Sequence, residues 1–327
     1  MEGEEKMKAL VTGAAGFIGS NICERLLADG HTVIGVDSFT NYYDVSLKRK
    51  NIEIVENSKF TLIEGDLNNI DLKSLISDVE VIFHQAGQPG VRSSWGSEFS
   101  QYCDQNILAT QRLLEAARSS DSLSRFVYAS SSSIYGNAAS YPTTEADLPR
   151  PLSPYGVSKL AGEHLCSLYG ENFGVPTVSL RYFTVYGPRQ RPDMAFTRFT
   201  KAAIQGTPIT LYGDGEQIRD FTFVGDIVGA NLLAASSSGV APGSVLNVSG
   251  GSRVTVNQVI ALLEEIADRE ILITREDRFP GDVLQTGGSS ANAKELLGWQ
   301  ARVSLKEGLA AQYDWAKGIL ASSIGAR

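Results

Sequence analysis

The sequence predicts an α/β protein: a doubly wound parallel sheet followed by a smaller α/β domain. Three observations carry this. Short apolar runs alternate with helix-period segments through residues 1–183. A glycine run, Gly13 to Gly19, falls between the first strand-like segment and the first helix-like one. Beyond residue 184 the rhythm loosens and Gly, Pro and Arg become denser, which divides the chain into 1–183 and 184–327, with exchange of strands between the two expected.

The elements follow in order. Lys8–Thr12 reads as an apolar strand, and the glycine turn opens a helix running to about Asp29. A second strand over 31–36 ends on Asp37. Glycines there allow a tight turn and close backbone approach, so a pyrophosphate can rest on the helix N-terminus. The spacing is G-x-x-G-x-x-G rather than G-x-G-x-x-G. A carboxylate closing the second strand suits ribose hydroxyls and repels a 2′-phosphate, which points to NAD rather than NADP. Lys48-Arg49-Lys50 reads as a solvated helix face.

Strands over 60–63 and 79–84 come next, then a helix over 98–119 with Ile107, Leu108, Leu113 and Leu114 at helical spacing. The strand 125–129 delivers Ser130 to Ser133 at its C-terminal end, where open parallel sheets hold ligands. A proline-rich loop, 142–154, leads into a helix that begins Pro154-Tyr155-Gly156-Val157-Ser158-Lys159. Tyr155 and Lys159 are four apart and share a helix face. A phenol with pKa ~10 is a poor base at neutral pH, and a nearby ammonium is expected to lower it. The strand 177–181 follows.

Composition bounds the function. The 327 residues are 43% hydrophobic and 20% charged, ordinary for a globular protein. A net charge of −8 argues against a general nucleic-acid surface. Cys23, Cys103 and Cys166 have no metal-like spacing, and His31, His84 and His164 are scattered, so no metal site is expected. No apolar run reaches the ~18 residues that span a bilayer, and a cytoplasmic enzyme is the expectation.

The glycine turn, Asp37, Asp66-Leu67, Ser131, Tyr155 with Lys159, and Arg181-Tyr182-Phe183 together resemble the extended short-chain dehydrogenase/reductases that act on nucleotide sugars. The resemblance implies a Rossmann domain holding NAD and a C-terminal domain holding a nucleoside diphosphate. It implies that Gly13, Gly16, Phe17, Ile18 and Gly19 line the pyrophosphate and that Asp37 takes the adenosine ribose. Asp66 and Leu67 would flank adenine, with Gln85, Ala86, Gly87 and Asn106 completing the cofactor set. His84-Gln85-Ala86-Gly87 stands where many relatives read His-Leu-Ala-Ala. Tyr155, Lys159 and Ser131 would be catalytic. Arg219 and Arg278 would hold the diphosphate, with Asp282 near the uridine ribose, and Arg92 is a further substrate-binding candidate.

Ser131-Ser132-Ser133-Ile134-Tyr135-Gly136 contains no carboxylate, whereas dehydratases and decarboxylases of this family carry one there. The completion expected is C4 epimerisation through a 4-keto sugar. Two segments, 181–195 and 39–48, resemble the UDP-glucuronate 4-epimerases. A C6 carboxylate wants an arginine and hydroxyls, and Arg191, Thr184, Ser132 and Ser133 are the candidates. The rivals are UDP-glucose or UDP-N-acetylglucosamine epimerisation, and lyase chemistry on UDP-glucuronate. Relatives commonly dimerise through two helices per subunit, and Leu108, Leu113, Leu160, Leu165 and Leu168 are more apolar residues than one core-facing stripe needs. A homodimer is expected.

Overall fold

The structure, a computed structural model, describes residues 6–55, 57–277 and 285–324. Its centre is a seven-stranded, all-parallel sheet in the order β10-β6-β5-β4-β1-β2-β3. The strands are β1 (Lys8–Thr12), β2 (Thr32–Asp37), β3 (Phe60–Glu64), β4 (Val81–His84), β5 (Arg125–Ser131), β6 (Thr177–Tyr182) and β10 (Ser244–Val248). Between β6 and β10 lie the short β7 (Val185–Tyr186), β8 (Ile209–Tyr212) and β9 (Ile218–Phe223). β9 pairs with β7 and with β11 (Ser252–Thr255), while β8 pairs with β12 (Ile273–Glu276).

β4 and β5 are buried along their whole length, as expected of central strands covered on both faces. The helices α1 (Phe17–Ala28), α2 (Val45–Ile54), α3 (Leu72–Leu75), α4 (Phe99–Tyr102), α5 (Ala109–Ala117) and α6 (Pro154–Phe173) provide that cover. The strand order reverses between β1 and β4, and the crevice of an open α/β sheet lies at such a reversal.

β10 comes from the second half of the sequence yet extends the large sheet, with Ser244 opposite Val178 and Val248 opposite Tyr182. The helix α8 (Val224–Ser236) likewise contributes Ile227, Ala230 and Ala234 to the core cluster that holds Ile22 and Leu26 of α1. The rest of that half, α7 (Ala195–Gln205), α9 (Val256–Ala267), α10 (Ala291–Leu297) and α11 (Leu305–Ile324), surrounds smaller clusters such as Phe199, Ile209, Leu211 and Leu263.

Two expectations change. The single helix over 98–119 is instead α4, a π-helical segment Cys103–Leu108, and α5 ending at Ala117. Asn106 lies in this wider turn, buried among polar partners, and such bulges are frequent at functional sites. The apolar surplus is also smaller than expected. Leu113 is fully buried, Leu160 packs by Ile134 and Phe183, and Leu165 packs on the core, leaving Leu108 and Leu168 exposed.

Candidate active site

The cofactor side is built from backbone. Gly13 has φ +68°, and a Cβ added there would lie 2.9 Å from the Ala86 nitrogen. At Gly19 an added Cβ would stand 2.1 Å from the Gly13 carbonyl oxygen, so strand and helix approach only because that position is bare. Gly16 starts α1 without a side-chain cap, which leaves the first-turn amides aimed at whatever occupies the crevice. Asp37 accepts hydrogen bonds from the amides of Ala15 (3.1 Å) and Phe39 (2.8 Å), which fix its carboxylate at the crevice edge. One cavity is lined by this turn, by Phe17, Ile18, Leu67, Gln85, Ala86 and Gly87, and at its far end by Tyr155, Lys159 and Arg191. The uncapped helix start, the bare glycines and the held carboxylate fit a dinucleotide.

The wall of that cavity is fastened by a buried polar chain. The Ala86 amide donates to Thr12 Oγ1 (3.1 Å), which meets His84 Nδ1 (2.7 Å). His84 Nε2 meets Thr110 Oγ1 (2.9 Å), and Thr110 donates to the Asn106 carbonyl (2.7 Å). Because Thr110 spends its proton on that carbonyl, His84 must donate from Nε2 and accept at Nδ1. Burial keeps His84 neutral by pushing its pKa down to about 3. The Asn106 side chain continues the chain: it accepts from the Gln88 amide (2.6 Å) and donates to the Gln88 carbonyl (3.1 Å) and Ser158 Oγ (2.9 Å). Ser158 in turn donates to the Tyr155 carbonyl (2.8 Å). The amide of Asn106 is thus committed to tying the 86–88 wall to α6, and Asn106 does not line the cofactor cavity. Asp66 is similarly occupied, accepting from the Asn68 amide (2.8 Å) and Gln105 (3.2 Å). Gln85 donates to Asn231 (3.1 Å) and accepts from Tyr182 (3.2 Å), linking the wall to α8.

At the reacting end, Ser153 caps α6 by accepting from the Gly156 amide (3.1 Å), and Pro154 occupies the first turn. That start brings the Tyr155 hydroxyl close enough to Ser131 for the serine to favour its ionised form. The expected lowering of the Tyr155 pKa by Lys159 is not what the structure gives. Burial is the largest influence and raises it, while Ser131 and the Arg191 charge oppose that rise. Lys159 is itself buried, its pKa pushed down to about 8, and its ammonium lies over the Tyr128 ring at 4.5 Å. Lys159 is not among the main influences on the Tyr155 phenol, which are burial, Ser131 and the Arg191 charge.

A second cavity adjoins the first and is lined by Ser132, Ser133, Thr184, Arg92, Asp193 and Arg219, among others. Arg92 stacks over the Tyr212 ring at 4.8 Å. Arg278 and Asp282 lie outside the described residues.

The residue reading missed Lys48. It is buried rather than solvated, lines the cofactor cavity, and donates to the Thr40 carbonyl (2.9 Å) and hydroxyl (3.1 Å). Its signal lay in the 39–48 segment, whose charge run disguised it. Tyr42 was missed as a lining residue of both cavities.

The family model for NAD-dependent epimerases and dehydratases matches residues 9–249, which span the glycine turn, Ser131, Tyr155 and the first arginines of the second cavity. The chain belongs to that family. It is 48% identical, over 93% of its length and 96% of the relative's, to an uncharacterized UDP-glucose epimerase, YtcB, of Bacillus subtilis. It is 35% identical to a UDP-glucuronate 4-epimerase of Thermodesulfobacterium geofontis, over 94% of this chain and 95% of that one. Among solved structures, the Bacillus cereus UDP-glucuronic acid 4-epimerase in complex with UDP-glucuronic acid and NAD superposes with TM-score 0.92 at 44% identity, covering 96% of this chain and 100% of that one. Membership accounts for the cofactor as NAD and for the Rossmann-type sheet. No group of three or more His, Cys, Asp or Glu able to hold a metal occurs among the described residues.

Proposed function

We propose that the protein interconverts UDP-glucuronate and UDP-galacturonate by inverting C4. The observation that carries the choice of sugar is the position of Arg191: its guanidinium lines the same cavity as Tyr155 and is charge-coupled to it. A cation at the reacting end suits a sugar whose carboxylate carbon, C6, lies two carbons from the reacting C4. The name of the B. subtilis relative makes UDP-glucose the competing substrate. A neutral hydroxymethyl group would leave the edge of Arg191 not bonded to Asp193 without an anionic partner from the substrate.

Tyr155 takes the proton of the C4 hydroxyl as a phenolate, the form that Ser131 and the Arg191 charge favour against burial, and Ser131 hydrogen-bonds the same sugar oxygen. NAD, held by the glycine turn and Asp37, would supply the hydride acceptor for the C4 hydrogen and the donor that returns it to the opposite face of the keto sugar. Lys159, one helical turn beyond Tyr155 on α6 and lining the same cavity, is assigned to the nicotinamide ribose. The 4-keto acid is prone to lose carbon dioxide when its C5–C6 bond stands perpendicular to the carbonyl plane. Arg191 with Ser132, Ser133 and Thr184 holds the carboxylate out of that alignment. Arg219 and Arg92, with Arg278 and Asp282 of the undescribed segment, are assigned to the nucleoside diphosphate. Asp37 and the glycine turn are assigned to NAD, in the 1–183 part, and the sugar nucleotide is assigned mainly to the 184–327 part, with Arg92 and the serines at the end of β5 reaching it from the first.

Arg191→Ala tests the choice. It is expected to weaken UDP-glucuronate turnover (kcat/KM) by about 2 kcal/mol, the scale of a lost charged hydrogen bond. An equal effect on UDP-glucose would show that Arg191 does not read the carboxylate.

We also propose a homodimer through the outer faces of α5 and α6. Leu108 (46% exposed), Val157 (46%), Leu168 (51%) and Phe173 (48%) lie on those helices or at their ends. Leu168→Glu should shift the solution mass towards monomer, and a wild-type mass already monomeric at high concentration would exclude the contact. Free cysteines, two of them buried, agree with a reducing, cytoplasmic setting. The excess of acidic residues disfavours nucleic acid as a partner. Among the described residues no helix is long and apolar enough to cross a membrane.

A further inference from the structure

The proposed carboxylate reader has a companion. Arg191 donates from Nε to Asp193 Oδ1 and from Nη2 to Asp193 Oδ2, both at 3.0 Å. A guanidinium has five N–H groups in a fixed plane, and this contact uses its side edge. The end edge, formed by Nη1 and the second Nη2 proton, is left for another acceptor. Arg191 lines the cavity that holds Tyr155, whereas Asp193 lines the adjoining one with Ser132, Ser133 and Thr184. The pair therefore stands where the two cavities meet.

The backbone beneath the pair is already fixed from three directions. Arg189 forms an ion pair with Glu24 of α1. Gln190 donates to the Val185 carbonyl (3.0 Å) and accepts from Gln312 of α11 (2.9 Å). The Met194 amide closes back on the Arg191 carbonyl (3.2 Å). What remains loose is the long Arg191 side chain, and the Tyr42 ring, 5.9 Å from its Cζ, bounds it without a fixed direction.

We propose that Asp193 is a positioning residue for substrate selectivity: it holds Arg191 side-on so that the end fork faces the sugar and receives its carboxylate in a two-point contact. The proposal rests on the reading of UDP-glucuronate as substrate. A planar fork recognises a carboxylate only in one orientation, so fixing the plane in advance removes ordering that binding would otherwise have to supply.

Calorimetric titration of the protein as purified, with UDP-glucuronate, UDP-glucose and UDP, tests this in wild type, Asp193→Ala, Asp193→Asn and Arg191→Ala. Asp193→Ala is expected to weaken UDP-glucuronate by about tenfold, the scale of one charged hydrogen bond, while UDP changes less than about twofold. Asp193→Asn, which keeps one acceptor oxygen, should fall between. Equal weakening of all three ligands would show a merely structural role, and tighter UDP-glucuronate binding would show that Asp193 competes with the substrate. Either result, or no change at all, overturns the proposal. If Arg191→Ala selectively weakens UDP-glucuronate but Asp193→Ala does not, the substrate reading survives and the positioning role alone is lost. A wild type that binds UDP-glucuronate no tighter than UDP-glucose, with Arg191→Ala neutral, sinks both.

Discussion

The two sides of the site are built from different materials. Around the cofactor cavity, the decisive groups are backbone amides, bare glycines and a buried hydrogen-bond chain from Ala86 through His84 to Tyr155. Around the second cavity they are long side chains, Arg92 and Arg219, with Arg191 lining the first cavity beside it, brought from three separate stretches of sequence. Backbone geometry tolerates no added atom, whereas side-chain recognition can be altered one contact at a time. The cofactor side should therefore fail as a unit, and the substrate side by degrees.

The sharpest way to break that contrast is Gly19→Ala. The added Cβ would meet the Gly13 carbonyl at 2.1 Å, and neither backbone segment can give way cheaply. The expected outcome is loss of NAD from the purified protein, read from the absorbance of nucleotide released on denaturation. Retention of a full complement of NAD would mean that the turn is more pliable than its packing indicates. Next in size is Tyr155→Phe. It removes the proton acceptor but leaves the buried chain intact, because that chain uses the Tyr155 carbonyl. Turnover should fall at least ~100-fold with NAD still bound. A rate within a few-fold of wild type would remove Tyr155 from the role of base.

Legibility in the sequence follows the same division. The glycine turn, Asp37 and the serines at the end of β5 were readable because each sits at a fixed offset from a strand, and the strands announce themselves by apolar runs. The β10 addition to the large sheet was foreseen only as strand exchange, since its partner β6 lies more than sixty residues earlier. The π-helical segment was invisible because 98–119 keeps an ordinary helical pattern. Within it Asn106 meets Gln88 and Ser158, tertiary contacts that local spacing does not report. Lys48 was misread for the opposite reason: charge runs usually face solvent, and only the fold shows this one turned under Thr40. The electrostatics of Tyr155 also depended on burial, which spacing alone does not report.

A smaller effect sharpens the account of the cofactor wall. His84 is neutral in the folded protein, with its pKa at about 3, against ~6.5 when unfolded. Its folded pKa is depressed, so its contribution is complete above pH ~6.5 and declines as pH falls towards about 3. Within that window the unfolded chain binds the extra proton, and stability should drop by up to ~1.4 kcal/mol per pH unit. Urea unfolding at pH 7.5 and 5.5 should show a smaller pH-dependent loss in His84→Gln than in wild type. Equal losses would show that His84 is not the group responsible.

The central claim, a carboxylate-reading epimerase site set against a backbone-built NAD site, is tested most directly by incubating the purified protein with UDP-glucuronate and no added cofactor. C4 configuration is followed by proton NMR, and carbon dioxide is measured in the same vessel. The account predicts approach to a mixture of UDP-glucuronate and UDP-galacturonate with no carbon dioxide released. Release of carbon dioxide in step with substrate loss, or faster inversion of UDP-glucose than of UDP-glucuronate, would contradict it.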